Sequence, residues 1–157
     1  MMLENNLKGN TQRRFNFDLD RCIGCGACVN ACLPGLISMV DIGDRRIIEF
    51  AIGRCIYFDC TRCVEVCQEK AISITEGFEF PSERKDELKI SYELLLAKCE
   101  RCGMPFTTRR IIDKVAAQLP KETGIEPAAL DWLKICPNCR ILREGQRQLK
   151  CYYQSRE

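Results

Sequence analysis

The spacing of thirteen cysteines in a chain of 157 residues without histidine is the feature that most constrains this sequence. So high a density of cysteine indicates either a disulfide scaffold in a secreted protein or metal binding by thiolates. The odd number of cysteines and the lack of an apolar segment in residues 1–10 argue against secretion. The longest apolar runs are also too short to span a membrane. We therefore expect a reduced, intracellular protein whose thiolates bind metal, with no His-ligated metal and no His-based catalysis.

Eight of the cysteines form two runs that constitute an internal repeat. The runs are Cys22-x2-Cys25-x2-Cys28-x3-Cys32 and Cys55-x4-Cys60-x2-Cys63-x3-Cys67. Gaps of two residues let three sulfurs converge on one [4Fe–4S] cubane, whereas a gap of three, about one helical turn, directs the fourth sulfur elsewhere. This is the spacing of bacterial two-cluster ferredoxins, in which the two repeats exchange their fourth cysteines.

The repeat predicts two [4Fe–4S] clusters with four ligands each. Cluster A takes Cys22, Cys25, Cys28 and Cys67, and cluster B takes Cys32, Cys55, Cys60 and Cys63. Gly24 and Gly26 have no side chains, so backbone N–H groups can approach the sulfurs of the cluster closely. The four-residue gap after Cys55 departs from the ferredoxin spacing, which leaves open whether Cys55 is a ligand.

The second half carries two cysteine pairs of a different kind. The pairs are Cys99-x2-Cys102 and Cys136-x2-Cys139, with Gly103 and Pro137 beside them. Each pair predicts a knuckle that presents two sulfurs from a tight turn, and two knuckles make a closed tetrahedral site. Such a site suits structural zinc or a rubredoxin-like iron, and free cysteines are the alternative. We predict zinc because so small a domain needs a metal to fold. For Cys151, in a basic tail, we expect no ligand role.

The pattern along the chain predicts an α+β fold, a dicluster ferredoxin-like domain followed by a small domain with a four-cysteine metal site of the zinc-ribbon or rubredoxin-like type. We expect an N-terminal extension at residues 1–12 and the ferredoxin-like domain at 13–80. A linker at 81–89 leads to the zinc-binding domain at 90–145, and a basic tail follows at 146–157. Alternating apolar residues predict strands at 15–19, 72–75 and 90–96, and Gly43-Asp44 predicts the turn of a hairpin.

Two helices are expected in the second domain. Thr107 or Thr108 can cap a helix that runs to about residue 119, where Pro120 ends it. Pro127 suits the first position of another helix, which leads toward Cys136. Both helices therefore lie between the two cysteine knuckles.

The net charge gives no support to nucleic-acid binding. The formal charge is +2, from 24 Lys and Arg against 22 Asp and Glu, if every thiol is neutral. Metal-bound thiols are deprotonated, so loading twelve cysteines with two clusters and one zinc ion makes the net charge negative. The cluster half also lacks a basic, aromatic-rich face, and we expect no nucleic-acid partner.

These motifs together resemble a known family. The segments Arg21-Cys-Ile-Gly-Cys-Gly-Ala-Cys-Val-Asn-Ala-Cys32 and Cys55-Ile-Tyr through Cys63-Val-Glu-Val-Cys67 are similar to the two-cluster ferredoxin subunit of respiratory complex I and its hydrogenase relatives. The segments Cys99-x2-Cys102-Gly-Met-Pro-Phe106 and Cys136-Pro-Asn-Cys139 are similar to the C-terminal extension of the iron–sulfur subunit of formate hydrogenlyase-type, membrane-bound nickel–iron hydrogenases. The resemblance extends over about residues 13–145.

The resemblance implies an electron-transfer subunit that is not an enzyme alone. Such a subunit relays single electrons between an electron-input iron–sulfur subunit and the small hydrogenase subunit. It is cytoplasmic, and its partners hold it at the inner face of the cell membrane. Two other functions stay open: a free, diffusible two-cluster ferredoxin, and a zinc and iron–sulfur regulatory or nucleic-acid-binding protein.

Overall fold

A computed structural model describes residues 14–55, 60–75 and 89–154. The predicted N-terminal extension and all of the predicted linker except Lys89 lie outside these residues. The chain divides into two compact units. The described residues of the first unit are 14–39, 48–55, 60–75 and 89–92, and those of the second are 40–47 and 93–154. The domain boundaries expected from the sequence stay a prediction.

Within the described ranges the chain forms six strands and four α-helices. In chain order they are β1 Arg14–Phe17, α1 Ala27–Ala31, β2 Ile37–Ile42, β3 Arg45–Phe50, α2 Arg62–Glu65, β4 Ile72–Thr75, β5 Ile90–Lys98, β6 Pro105–Thr108, α3 Arg109–Thr123 and α4 Pro137–Gln154. Short 3₁₀ helices cover Ile52–Arg54 and Pro127–Lys134. One sheet pairs β1 with β4, and the other has the strand order β2-β3-β5-β6.

The first strand is shorter than the alternation of apolar residues predicts. It ends at Phe17, and Leu19, which the sequence places in the strand, is exposed. The carboxylate of Asp18 accepts hydrogen bonds from the backbone N–H groups of Asp20 and Arg21, at 3.1 and 3.2 Å. This local turn competes with the strand for the backbone and leads the chain into the first cysteine loop.

The described core of the first unit comes from strand residues of both sheets and from the segments after the cysteine loops. Its buried apolar residues are Ile37, Ile48, Phe50, Ile52, Ala71, Ile72 and Tyr92. The predicted hairpin is confirmed, since β2 and β3 flank a turn at Gly43 and Asp44. Gly43 has a φ of 61°, the left-handed conformation that glycine adopts at little cost.

In the second unit, cysteines take up a large share of the buried core. β5 pairs antiparallel with β6, a strand that the sequence analysis did not predict, and Leu96 lies opposite Thr108. The buried side chains are Leu94, Leu96, Ala97, Cys99, Thr108, Leu130, Leu133, Cys136 and Cys139. A core in which three of nine buried residues are cysteines buries little hydrocarbon, so metal binding is a physical route to its stability.

The helix after β6 begins where the sequence predicts but runs further. Thr108 is the N-cap, and its hydroxyl oxygen accepts the backbone N–H of Ile111 at 3.4 Å. The prediction that Pro120 ends this helix is wrong, because α3 continues to Thr123. Proline has a helical φ and its missing N–H removes only one bond in the last turn. Gly124, with a φ of 71°, is the residue that ends the helix.

Two further segments differ in type from the expectation. Pro127 opens a helix as predicted, but that helix is 3₁₀ rather than α. Residues 146–154, which the sequence analysis assigns to a basic tail, belong to α4. None of the helices in the described part of the chain has both the length and the apolar character needed to cross a membrane.

Candidate metal centres

The first unit contains a cavity lined by the four cysteines predicted for cluster A. They are Cys22, Cys25, Cys28 and Cys67. The first three come from the loop between β1 and α1 and from α1 itself, and the fourth comes from the turn after α2. Apolar side chains, including Ile48 and Ile72, line the rest of the cavity together with Tyr92.

Glycines shape the first cysteine loop. Gly24 and Gly26 are buried and have φ angles of 73° and 76°, which side chains with a Cβ rarely adopt. A Cβ at Gly26 would lie 2.9 Å from Cε of Met39, which is closer than van der Waals contact allows. The loop therefore favours glycine at position 26 for its backbone conformation, and a Cβ there would also require the flexible end of the Met39 side chain to shift.

A second cavity is lined by the four cysteines predicted for cluster B. They are Cys32, Cys55, Cys60 and Cys63. Cys55 follows the 3₁₀ helix Ile52–Arg54, and its N–H donates to the carbonyl of Ile52 at 2.9 Å. Cys55 therefore lines the second cavity in spite of the four-residue gap that follows it. Residues 56–59, which form that gap, lie outside the described part of the chain.

The fourth cysteine of each run lies with the other run. Cys28, within α1, lines the first cavity, whereas Cys32, just after α1, lines the second. Cys63, within α2, lines the second cavity, whereas Cys67 lines the first. The structure therefore brings together the two sets of four that the spacing predicts, and their role as cluster ligands stays a prediction.

A backbone N–H donates a hydrogen bond to a cysteine sulfur in each cavity, and in the first cavity a side-chain hydroxyl lies beside another cysteine sulfur. The N–H of Leu36 donates to Sγ of Cys32, and the N–H of Ala71 donates to Sγ of Cys67, each at 3.3 Å and each from four residues further along the chain. The Tyr92 hydroxyl lies 3.1 Å from Sγ of Cys22. Sequence analysis missed Tyr92, because it is seventy residues from Cys22 and its only local signal is its inward position on a strand.

One thiol in each cavity, that of Cys28 and that of Cys63, resists ionisation without a cation. Burial, and after it the neighbouring Cys22 and Cys25, raise the pKa of the Cys28 thiol to about 11. Burial, and after it Cys55, Cys60 and Cys32, raise the pKa of the Cys63 thiol to about 11. Each cavity thus gathers sulfurs whose negative charges repel one another, an arrangement that metal binding relieves.

A third group of four cysteines lies in the second unit. The sulfurs of Cys99, Cys102, Cys136 and Cys139 all lie within 4.8 Å of one another, and those of Cys102 and Cys136 are 3.8 Å apart. Cys102 is exposed and the other three are buried. Four thiol sulfurs at these separations can hold a metal ion.

Local turns explain why each pair presents its sulfurs together. In the first knuckle the N–H of Gly103, whose φ is 74°, donates to the carbonyl of Cys99 at 2.8 Å. In the second, the N–H of Arg140 donates to the carbonyl of Cys136 at 3.0 Å as α4 begins. The N–H of Cys136 also donates to Sγ of Cys99 at 3.2 Å, which joins the two knuckles.

Hydrogen bonds and burial shift the pKa values of two of these thiols in opposite directions. The N–H of Cys136 lowers the pKa of the Cys99 thiol to about 6, because it stabilises the thiolate. Burial, followed by hydrogen bonds with Cys136 and Cys102, raises the pKa of the Cys139 thiol to about 12. Cys151, the thirteenth cysteine, is exposed on α4, and the described residues include it in no candidate metal site.

Comparison with known proteins agrees with the arrangement in the first unit. Residues 21–71 match the family model of the 4Fe-4S dicluster domain. The chain is 30% identical over 124 residues to formate hydrogenlyase subunit 6 of Escherichia coli, an alignment that covers 76% of this chain and 67% of that protein. It is 31% identical over 83 residues to NAD(P)H-quinone oxidoreductase subunit I of Gloeobacter violaceus, which covers 48% of this chain and 38% of that protein.

Proposed function

We propose a function from one premise, that the chain belongs to the family of two-cluster iron–sulfur subunits that includes formate hydrogenlyase subunit 6. The chain is an electron-transfer subunit of a hydrogenase or complex-I-like oxidoreductase. The observation that carries this proposal is the pair of cavities in the first unit, each lined by four cysteines drawn from both runs. Two adjoining sites of this kind provide an entry and an exit for electrons within one domain.

The donor sets of both cavities fit [4Fe–4S] clusters. Cys22, Cys25, Cys28 and Cys67 would hold cluster A, and Cys32, Cys55, Cys60 and Cys63 would hold cluster B. When bound, each cluster supplies one-electron redox chemistry, at a potential set by burial and by hydrogen bonds to its sulfurs. The raised pKa values of the Cys28 and Cys63 thiols, one in each cavity, are consistent with sites built to receive cations.

The surrounding residues set the polarity and the charge stabilisation at these sites. Besides its cysteines, the second cavity is lined by the apolar side chains of Phe15, Leu36, Phe50 and Ile52, which lower the local dielectric around the sulfurs. The N–H groups of Leu36 and Ala71 donate to the two exchanged cysteines, Cys32 and Cys67. These donors stabilise negative charge on the very thiolates that each repeat contributes to the other repeat's site.

We propose that the four cysteines of the second unit hold a structural zinc ion. Zn–S bonds of about 2.3 Å in a tetrahedron separate the sulfurs by about 3.8 Å, which fits one ion within the group. The Cys102–Cys136 separation is 3.8 Å, and three of the four cysteines are buried among Phe106 and Ile135. Iron in the same site is the alternative, and metal analysis with an absorption spectrum distinguishes the two.

The partners follow from the premise of membership in this family. We propose that the chain relays single electrons between two partners, an electron-input iron–sulfur subunit and the small hydrogenase subunit. Hydrogen chemistry takes place on the catalytic subunits of the complex and not on this chain. The complex holds the chain peripherally at the cytoplasmic, inner face of the membrane, and no nucleic acid is a partner.

Metal analysis combined with reconstitution tests this function. The chain is purified anaerobically, and iron, sulfide and zinc are measured, with about eight iron, about eight sulfide and one zinc expected per chain. Dithionite should reduce the clusters and produce paramagnetic resonance signals, while the chain alone should evolve no hydrogen from reduced viologen. Hydrogen evolution by the isolated chain, or an iron content that fits only one cubane, would contradict the proposal.

A further inference from the structure

The Tyr92 hydroxyl is a polar group aimed at a predicted cluster ligand. It lies 3.1 Å from Sγ of Cys22, and Tyr92 as a whole is 8% exposed. Both residues line the first cavity. A thiolate that ligates iron carries no proton, so in the loaded protein the Tyr92 hydroxyl is the donor of this hydrogen bond and Cys22 is the acceptor.

Packing holds the Tyr92 ring in place independently of the hydrogen bond. Its ring stacks on that of Phe50 with a centroid separation of 6.0 Å, and Phe50, which is 3% exposed, packs in turn against Phe17 with centroids 4.4 Å apart. A ring fixed by its neighbours brings the hydroxyl to the sulfur at little further entropic cost. The donor is therefore organised in advance for Cys22.

The described lining of the second cavity contains no counterpart to this hydroxyl. Among the described residues that line it, none has a hydroxyl-bearing side chain, and Arg62 is the one polar residue besides the cysteines. The backbone donors are matched in the two repeats, since Leu36 and Ala71 each donate to a cysteine at 3.3 Å. Tyr92 lies on β5, outside both repeats, and it gives the first cavity a hydroxyl donor that the described lining of the second cavity does not have.

We infer that Tyr92 raises the reduction potential of cluster A and leaves that of cluster B unchanged, an inference that rests on the function proposed above. A reduced cluster carries one more negative charge than an oxidised one, and part of that charge lies on the ligand sulfurs. A hydrogen bond to Cys22 therefore stabilises the reduced form more than the oxidised form. Tyr92 is a positioning and tuning residue, and it ligates nothing itself.

The test is a redox titration of the full chain, loaded with its clusters and followed by paramagnetic resonance. Tyr92→Phe keeps the ring packed on Phe50 and removes only the hydroxyl. We expect one of the two midpoint potentials to fall by up to ~59 mV, while the other stays constant. For a one-electron step this shift is about a tenfold change in the redox equilibrium constant. Tyr153→Phe removes the same hydroxyl from a tyrosine that is 67% exposed on α4 and should move neither potential.

A second variant keeps the inference testable if Tyr92→Phe fails to incorporate its clusters. With 3-fluorotyrosine at position 92, the hydroxyl is retained and more acidic, so it donates a stronger hydrogen bond and the same midpoint potential should rise. Two intact cluster signals whose potentials stay unchanged, or shift equally, in these variants would overturn this inference alone. A wild-type chain without two cluster signals would overturn the proposed function, and this inference with it.

Discussion

Cys28 and Cys32 lie four residues apart, within α1 and just after its end, and yet they line different cavities. The turn after α1 explains the divergence, because the N–H of Cys32 bonds to the carbonyl of Val29 at 3.3 Å and Cys32 itself has an extended backbone. Cys63 and Cys67 repeat this relationship across α2. Two sites that share short helices in this way depend on each other for their shape.

Replacing Cys102 with Ser should release the proposed zinc ion and unfold the second unit. The substitution removes one of four thiolates, and the binding energy of a structural zinc ion is folding energy, of the order of 10 kcal/mol. The measurement is zinc content together with thermal unfolding monitored by circular dichroism. Cluster signals from the first unit should survive in the isolated chain.

Cys151→Ser provides the matched control for Cys102→Ser. Cys151 is exposed on α4, so its replacement should change stability by no more than about 0.5 kcal/mol and leave one zinc ion bound. A Cys102→Ser chain that keeps its metal and its unfolding temperature would exclude a structural role for the site.

Gly26→Ala should impair the first cavity. The substitution forces a Cβ into a left-handed backbone with a φ of 76°, which costs about 1–2 kcal/mol, and it displaces the flexible end of the Met39 side chain, whose Cε would lie 2.9 Å away. We expect slower or incomplete incorporation of the cluster held by Cys22, measured as iron content and as loss of one resonance signal.

Gly145→Ala is the control for Gly26→Ala, because the same substitution at this position should stabilise the chain. Gly145 lies in α4, and a Cβ there meets nothing within 4 Å. Since alanine favours a helix interior over glycine, we expect the free energy of unfolding of the second unit to rise by about 0.5–1 kcal/mol. Equal effects of the two substitutions on iron content would contradict the account of Gly26.

Thr108→Val should destabilise the second unit through its helix cap. Thr108 is fully buried and its hydroxyl accepts the N–H of Ile111, so valine keeps the shape but leaves that N–H without its partner. The expected loss is about 1–2 kcal/mol in the free energy of unfolding of the zinc-loaded chain. Thr108→Ser retains the hydroxyl and should recover much of this loss, and equal losses in both variants would exclude the cap as the cause.

Local patterns in the sequence predict much of the candidate sites, because cysteine spacing fixes which sulfurs converge within a few residues. The hairpin turn at Gly43, the strand β4 and the cap at Thr108 likewise follow from neighbouring residues. The hydroxyl of Tyr92 could not be predicted, since its approach to Cys22 depends on the packing of strands far apart in the chain.

The C-terminal ends of α3 and α4 differ from the predicted ends because of particular residues in or next to each helix. Pro120 is compatible with the last turn of α3, and it is Gly124 that supplies the left-handed residue at the end. In α4, Gly145 and many charged residues weaken the apolar pattern, so that residues 146–154 resemble a tail in sequence although they are helical in the structure. Propensity alone does not resolve either boundary.

The exchange of the fourth cysteines is the central claim, and paramagnetic resonance of single Cys→Ser variants tests it most directly. Cys25→Ser and Cys60→Ser each remove a ligand whose assignment does not depend on the exchange, and so they define which reduced signal belongs to which cluster. The account predicts that the spectrum of Cys32→Ser matches that of Cys60→Ser, with the cluster at Cys22, Cys25 and Cys28 intact. A Cys32→Ser spectrum that instead matches that of Cys25→Ser would contradict the exchange.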